Sequence, residues 1–161
     1  MRRKLIAGNW KMYKTMVEAH AYLDKFLSLY AESKTENEIA ICAPYTQLEM
    51  LAERLFHTGV GVGAQNMHFE EEGAFTGEIS AGMLEQVGVD YCIIGHSERR
   101  QYFGETDEIV NKKLHTAFNY GIIPIFCLGE VLEQRDAGEE FTVVKRQVEK
   151  GLAEHKLPPL V

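Results

Sequence analysis

The chain has 161 residues, 45% hydrophobic and 25% charged, with a formal net charge of −7. That balance fits one folded domain, 1–161, and excludes global disorder. An acidic surface argues against nucleic-acid binding, and no apolar run approaches the roughly 18 residues of a membrane span. A local cationic site for a small anion stays open.

The start, Met1-Arg2-Arg3-Lys4, is basic, but the apolar run behind it (5–10) is broken by Asn9 and Lys11, so no signal peptide is expected. Thr15 with Glu18 reads as a capping box, and Ala19, Leu23, Phe26, Leu27 and Tyr30 follow at helical spacing. A second apolar run, 39–43, leads into Pro44-Tyr45. Thr46 with Glu49 predicts a second capping box, ahead of Leu51, Ala52 and Leu55.

The third run, 60–64, opens onto a long polar insertion, 65–79, which is acidic at Glu70-Glu71-Glu72 and ends in Gly73-Ala74-Phe75-Thr76-Gly77. A loop of that length is usually functional or part of an interface. Ser80 is the expected N-cap of a short helix with Met83, Leu84 and Val87. The fourth run, 91–94, ends at Gly95-His96-Ser97-Glu98 and is followed by the stripe Val110, Leu114, Ala117 and Phe118. The fifth run, 122–127, leads to Gly129 and Glu130. The last stripe is Phe141, Val144, Val148 and Leu152.

The five runs are nearly continuous in hydrophobicity, as suits parallel strands buried on both faces, and the β-α alternation implies right-handed crossovers. Two architectures compete. An open doubly wound sheet fits the length, whereas a (β/α)₈ barrel typically needs about 250 residues. Val60-Gly61-Val62-Gly63 is a poor dinucleotide loop, because its glycines lie inside a strand. Small residues there fit a crowded interior. Cys42, Cys92 and Cys127 are odd in number and lack C-x-x-C spacing, which reads as buried thiols in a reducing, cytoplasmic compartment.

Ligands of parallel α/β folds bind at the carboxyl ends of strands, so Asn9, Lys11 and His96 could share one rim. Lys11 is either a point charge for an anion or oxyanion, or a solvated loop lysine. His96 is either a neutral hydrogen-bond donor beside a helix N-terminus or a satisfied, half-buried histidine. Glu98 and Glu130 are candidates to hold Lys11 or His96, or are plain rim charges. His20, His57, His68, His115 and His155 lack metal-ligand spacing and read as surface or edge residues.

The segments Asn9-Trp10-Lys11-Met12, Gly63-Ala64-Gln65-Asn66, Gly73-Ala74-Phe75-Thr76-Gly77-Glu78, Ile94-Gly95-His96-Ser97-Glu98-Arg99-Arg100 and Cys127-Leu128-Gly129-Glu130 resemble triosephosphate isomerase, in family order and over essentially the whole chain. The resemblance implies an α/β fold of parallel (β/α) TIM-barrel type carrying about the first five βα units, and outweighs the length argument. It implies interconversion of dihydroxyacetone phosphate and glyceraldehyde 3-phosphate through an enediolate, with no metal and no organic cofactor. By the same resemblance Asn9 and Lys11 bind the phosphorylated triose, and His96 is the neutral electrophile. Glu98 and Cys127 support the site, while Phe75 and Thr76 cross a homodimer interface.

The family's base is a glutamate after a sixth strand, in a Y-E-P-type segment leading into a lid. The sequence reads Leu157-Pro158-Pro159-Leu160-Val161 where that strand is expected to begin. The chain alone is therefore expected to be inactive. The alternative is a non-catalytic partial barrel acting in assembly or binding, with Leu5, Ile41, Ile93 and Ile125 as the apolar surface that further units would cover.

Overall fold

A computed structural model describes residues 4–33 and 35–154. The expectations attached to Met1 to Arg3, His155 and 157–161 lie outside the described residues. Five parallel strands follow one another: β1 (Leu5–Asn9), β2 (Glu38–Ala43), β3 (Val60–Ala64), β4 (Tyr91–Ile94) and β5 (Ile123–Phe126). Their spatial order is β1-β2-β3-β4-β5, with no reversal. A doubly wound sheet requires a reversal at its switch point, so the sequential order decides for a barrel-type wall. The sheet curls accordingly into a half-barrel of alternating strands and helices.

The crossovers carry α1 (Met16–Ala31), α2 (Tyr45–Leu55), α3 (Ala81–Val87), α4 (Ser97–Tyr102), α5 (Asp107–Asn119), α6 (Leu132–Asp136) and α7 (Glu140–Gly151). Between helices and strands lies a core whose fully buried side chains include Leu23, Leu48, Leu51, Met67, Leu84, Ile94, Val110 and Leu114. None of the described helices is long and apolar enough to cross a membrane.

Local chemistry accounts for the element boundaries. At α1 the Thr15 side chain accepts from the Glu18 N–H, and the Glu18 carboxylate accepts from the Thr15 N–H at 2.7 Å, the expected capping box. Ser80 caps α3 as expected, accepting from the Met83 N–H at 3.4 Å. Thr46 does not cap α2. The helix starts two residues earlier than that cap predicts, directly after Pro44, and no side chain caps it, because Thr46 already lies in its first turn.

The last stripe is also displaced. Phe141 is 82% exposed, and α7 buries Val143, Gln147 and Gly151 instead, with Val144, Val148 and Leu152 flanking them. Among the four strand residues expected to need cover, Ile41 and Ile93 are buried, while Leu5 and Ile125 are half-buried. The exposed strand hydrophobics are Ile6 and Ile123, on the two edge strands that lack an outer neighbour among the described residues.

The glycines of β3 are crowded, as expected. A Cβ on Gly61 would stand 2.5 Å from the Tyr91 ring, and one on Gly63 would stand 2.4 Å from Cys42 Sγ. The small residues let β2, β3 and β4 pack their interior side chains against one another.

Candidate active site

Because all five strands are parallel, their carboxyl ends share one rim. Asn9 closes β1 there, and its Oδ1 accepts the Lys11 N–H at 2.9 Å. Lys11 has φ 54°, a left-handed conformation uncommon outside glycine. A second clamp holds it: Gln65, just past β3, donates through Nε2 to the Lys11 carbonyl at 2.9 Å and to the Cys42 carbonyl at 3.0 Å. A non-glycine residue held this way marks a site where side-chain direction matters more than backbone ease.

His96 follows Gly95, whose φ of 77° turns the chain sharply out of β4. A Cβ on Gly95 would meet Arg100 Nη2 at 3.1 Å and the Cys127 carbonyl at 3.2 Å, so glycine is needed there on two counts. His96 is the N-cap of α4, and its Nδ1 accepts the Glu98 N–H at 3.2 Å. An Nδ1 lone pair used this way leaves Nε2 to carry the proton of a neutral ring and to donate outward. Glu98 Oε2 lies 3.5 Å from the same Nδ1, a longer contact that would suit a charged ring. The backbone bond is the shorter one, and the Glu98 carboxylate is engaged through its other oxygen, which accepts from Lys11 Nζ at 2.8 Å.

Asn9, Lys11, His96 and Glu98 line one cavity of about 250 Å³ together with Gln65, Asn66 and Arg99. The Lys11–Glu98 pair biases the charges in it. Hydrogen bonding to Glu98 raises the Lys11 ammonium above its ordinary value, and hydrogen bonding to Lys11 lowers the Glu98 carboxyl. The cavity therefore offers a cation, a ring N–H and an amide to an anionic, oxygen-rich ligand.

A larger cavity of about 930 Å³ opens at the opposite rim, but its charged side chains are the carboxylates Glu38, Glu53 and Asp90, which repel an anion. Chemistry rather than size selects the smaller one.

Cys127 sits beside the site, sharing a smaller cavity with Gly95, His96, Ser97 and Arg100. Its N–H donates to the Ile94 carbonyl at 2.9 Å, and burial pushes its thiol upward. Glu130 takes no part: its carboxylate pairs with Arg135. Thr76 and Phe75 lie on the exposed part of the 65–79 loop, far along it from the rim residues, with the Phe75 ring 4.4 Å from that of His68. Among the described residues no group of three or more His, Cys, Asp or Glu side chains is arranged to hold a metal ion.

The sequence reading left out Arg99, which enters the cavity wall, and a buried ion pair behind it between Lys113 and Glu105. Lys113 had a legible signal. It falls on the face of α5 that also carries Val110, Leu114 and Ala117, where a lysine demands a partner.

The geometry can be set beside known proteins. The family model described as triosephosphate isomerase matches residues 4–160. The chain is 52% identical over 152 residues to a triosephosphate isomerase of Dictyoglomus thermophilum, covering 94% of this chain and 61% of that protein. It is 51% identical over 154 residues to one from Picosynechococcus, covering 96% and 64%. The crystal structure of triosephosphate isomerase from Bartonella henselae superposes with a TM-score of 0.86 at 38% identity, over 95% of this chain and 63% of that one. The chain thus spans less than two thirds of the length of these relatives. With the family model matching residues 4–160 and a half-barrel that superposes on a solved member, the chain belongs to the triosephosphate isomerase family.

Proposed function

We propose that the rim of Asn9, Lys11 and His96 is the first half of a triose-phosphate isomerisation site. The observation that carries this is the convergence of Lys11 and His96 on one cavity from strands 1 and 4, joined through Glu98. In this reading Asn9 and Lys11 bind the phosphorylated triose, and Lys11 balances its negative charge. His96, with Nδ1 occupied by a backbone N–H, donates from Nε2 to the carbonyl and steadies the enediolate oxygen. A neutral histidine in this role is already attached to the family and is not a discovery of this structure. Glu98 orients Lys11, and Cys127 packs beside the histidine turn. The chemistry calls for no metal and no organic cofactor.

Proton abstraction also needs a base within hydrogen-bond reach of the substrate carbon. Glu98 is committed to Lys11, and Glu130 to Arg135. By the family pattern the base is a glutamate after a sixth strand, a position these 161 residues do not include. A polypeptide of these residues alone is therefore inactive and gains turnover when the remaining barrel units are supplied. A second reading, a partial barrel that only assembles or binds, is favoured by the exposed edge residues Ile6 and Ile123.

Phe75, 44% exposed, and Thr76 form the face that meets a second copy in a homodimer. The buried free thiols Cys42 and Cys92 suit a reducing, cytoplasmic setting.

The deciding experiment is a coupled isomerase assay of the purified chain, with and without the supplied C-terminal units, and with His96→Gln as control. No turnover until the units are added, and none with the variant, is the expected result. Turnover by the chain alone that His96→Gln abolishes would overturn the assignment of the base.

A further inference from the structure

Behind the rim lies a buried group of charges that the proposed chemistry does not use. Lys113 is 4% exposed on the apolar face of α5. A buried ammonium is tolerated only with good partners. It has two: Nζ donates to Asn66 Oδ1 at 2.6 Å and to Glu105 Oε1. Glu105 is 5% exposed, its Oε2 has no hydrogen-bond partner, and Arg99 Nε stands 3.6 Å from its Oε1.

Each partner leads back to the rim. Asn66 is the neighbour of Gln65, the residue that clamps the Lys11 and Cys42 carbonyls. The Asn66 carbonyl is held in turn by the Tyr45 hydroxyl at 2.7 Å. Glu105 is tied to α4, because its N–H donates to the Arg99 carbonyl at 3.2 Å. The Arg99 N–H in turn donates to the His96 carbonyl at 2.9 Å. One ammonium therefore links the segment that holds the Lys11 backbone to the helix that begins at His96.

We propose that Lys113 is a positioning residue, which fixes Lys11 relative to His96 by gripping Asn66 on one side and Glu105 on the other. This rests on the reading of the rim as a triose-phosphate site. The Lys11 backbone is in a costly left-handed conformation that only its surroundings maintain. Loosening Asn66 loosens Gln65, and the Lys11 carbonyl loses its clamp. A plain stabilising pair would act differently, since buried ion pairs replaced on both sides by neutral groups often leave stability unchanged.

The test uses the chain itself, with nitrogen NMR of the Lys11 amide and the His96 ring, a urea midpoint, and titration with dihydroxyacetone phosphate. Asn66→Ala keeps the Lys113–Glu105 pair and cuts the link toward Lys11; because Asn66 also lines the cavity, the Lys11 amide signal rather than probe binding reads the link. Lys113→Met with Glu105→Gln removes both charges together. Glu108→Gln, on the same helix as Lys113, breaks the exposed pair of Glu108 with Lys150 of α7, 2.8 Å long, and serves as control.

Asn66→Ala should shift the Lys11 amide and weaken binding of the probe about tenfold or more, as a displaced contact does. The double variant should move the Lys11 and His96 signals together, and the control should move neither. Wild-type Lys11 and His96 signals in a folded Asn66→Ala or double variant would overturn the proposal. If the double variant fails to fold, Asn66→Ala alone decides. If the parent chain fails to bind the probe yet the signals move, the substrate reading fails and the positioning role stands. If the parent binds and the folded variants bind equally with unmoved signals, only the positioning role fails.

Discussion

Lys11 Nζ and Glu98 Oε1 meet at 2.8 Å although 87 residues separate them in the chain. The contact joins the loop after β1 to the first turn of α4, so it reports whether the rim positions after β1 and β4 are in register.

The pair makes a pH prediction. Glu98 is lowered from 4.5, so its stabilising share is present above that value and is lost as pH falls through the lower folded value. Lys11 is raised from 10.5, so its share is present below that value and is lost as pH rises through the higher folded value. Between those limits the bridge is intact. Glu98→Gln should bring the Lys11 titration back down toward 10.5, followed by NMR of its ε-methylene. Both groups are solvent-exposed, so salt should shrink the difference. At 1 M the screening length is about 3 Å. A Lys11 titration unmoved by Glu98→Gln would remove the bridge from solution.

The crowding of β3 predicts a coupled pair. Gly63→Ala drives a methyl to 2.4 Å from Cys42 Sγ, and overpacking of this kind costs about 1–3 kcal/mol. Cys42→Ala removes that sulfur. The double variant should be less destabilised than the sum of the two singles in urea unfolding. Simple additivity would mean that the strands separate instead of the side chains clashing.

What could be read before the structure follows from which forces were local. The apolar runs at 60–64 and 91–94 became β3 and β4 with the same ends, because a strand buried on both faces leaves a hydrophobic run with no competing signal. Thr15 and Glu18 announced α1, since a capping box is complete within four residues. The α7 stripe was misplaced by polar residues that face inward. Gln147 is 4% exposed because its amide donates to the Gly129 carbonyl and accepts from the Gly129 N–H, both at 2.9 Å. That partner lies outside α7, 18 positions earlier in the chain, so periodicity alone gives Gln147 to the solvent. Glu105 hid for the same reason, whereas Lys113 showed itself as a lysine on the apolar stripe of α5. Asn9, Lys11 and His96 were legible because strand ends in a parallel sheet must share a rim, whereas the clamp from Gln65 to Lys11 depends on geometry that no spacing encodes.

Gln147 gives a stability test of that point. Gln147→Leu keeps the volume near the same and leaves the Gly129 N–H and carbonyl without their partner. Gly129 is exposed, so water can take the place of the lost amide. The loss is that of an ordinary hydrogen bond, about 0.5–1.5 kcal/mol, so the urea midpoint should fall modestly even though the new side chain is more apolar. A rise in midpoint would mean that the Gln147 amide holds the Gly129 turn no better than water does.

The thiols should react in order of burial. Burial pushes Cys42 up to about 12 and raises Cys92 as well, while Cys127 is half-buried and raised by the same cause. The thiolate is the nucleophile, so at pH 8 a thiol near 12 is ionised in only about one molecule in 10⁴. A disulfide reagent should therefore label Cys127 first, and Cys42 and Cys92 only as fast as the chain opens. Equal rates for all three in native buffer would contradict the burial of β2 and β4.

Catalysis supplies the last prediction, and it separates two kinds of contribution at the rim. In the proposed site Lys11 is a charge on a substrate that is already anionic before reaction, so it would bind ground state and transition state alike, with an added share as the enediolate forms. In the same proposal His96 donates to a carbonyl oxygen whose charge grows only in the transition state. When the remaining barrel units are supplied and turnover is present, Lys11→Met should raise KM and lower kcat together. His96→Gln should act mainly on kcat, by about 10²–10³ if it removes one oxyanion donor. On the proposal that the base lies in those units, neither variant should matter without them, since a missing general base alone costs about 10²–10⁴ in rate. The measurement is a pair of saturation curves for each variant. If His96→Gln instead raised KM with kcat unchanged, the ring would be a binding group with no share in carbonyl polarisation. The hydrogen bond from the Glu98 N–H to Nδ1 would then serve only to hold the turn after β4.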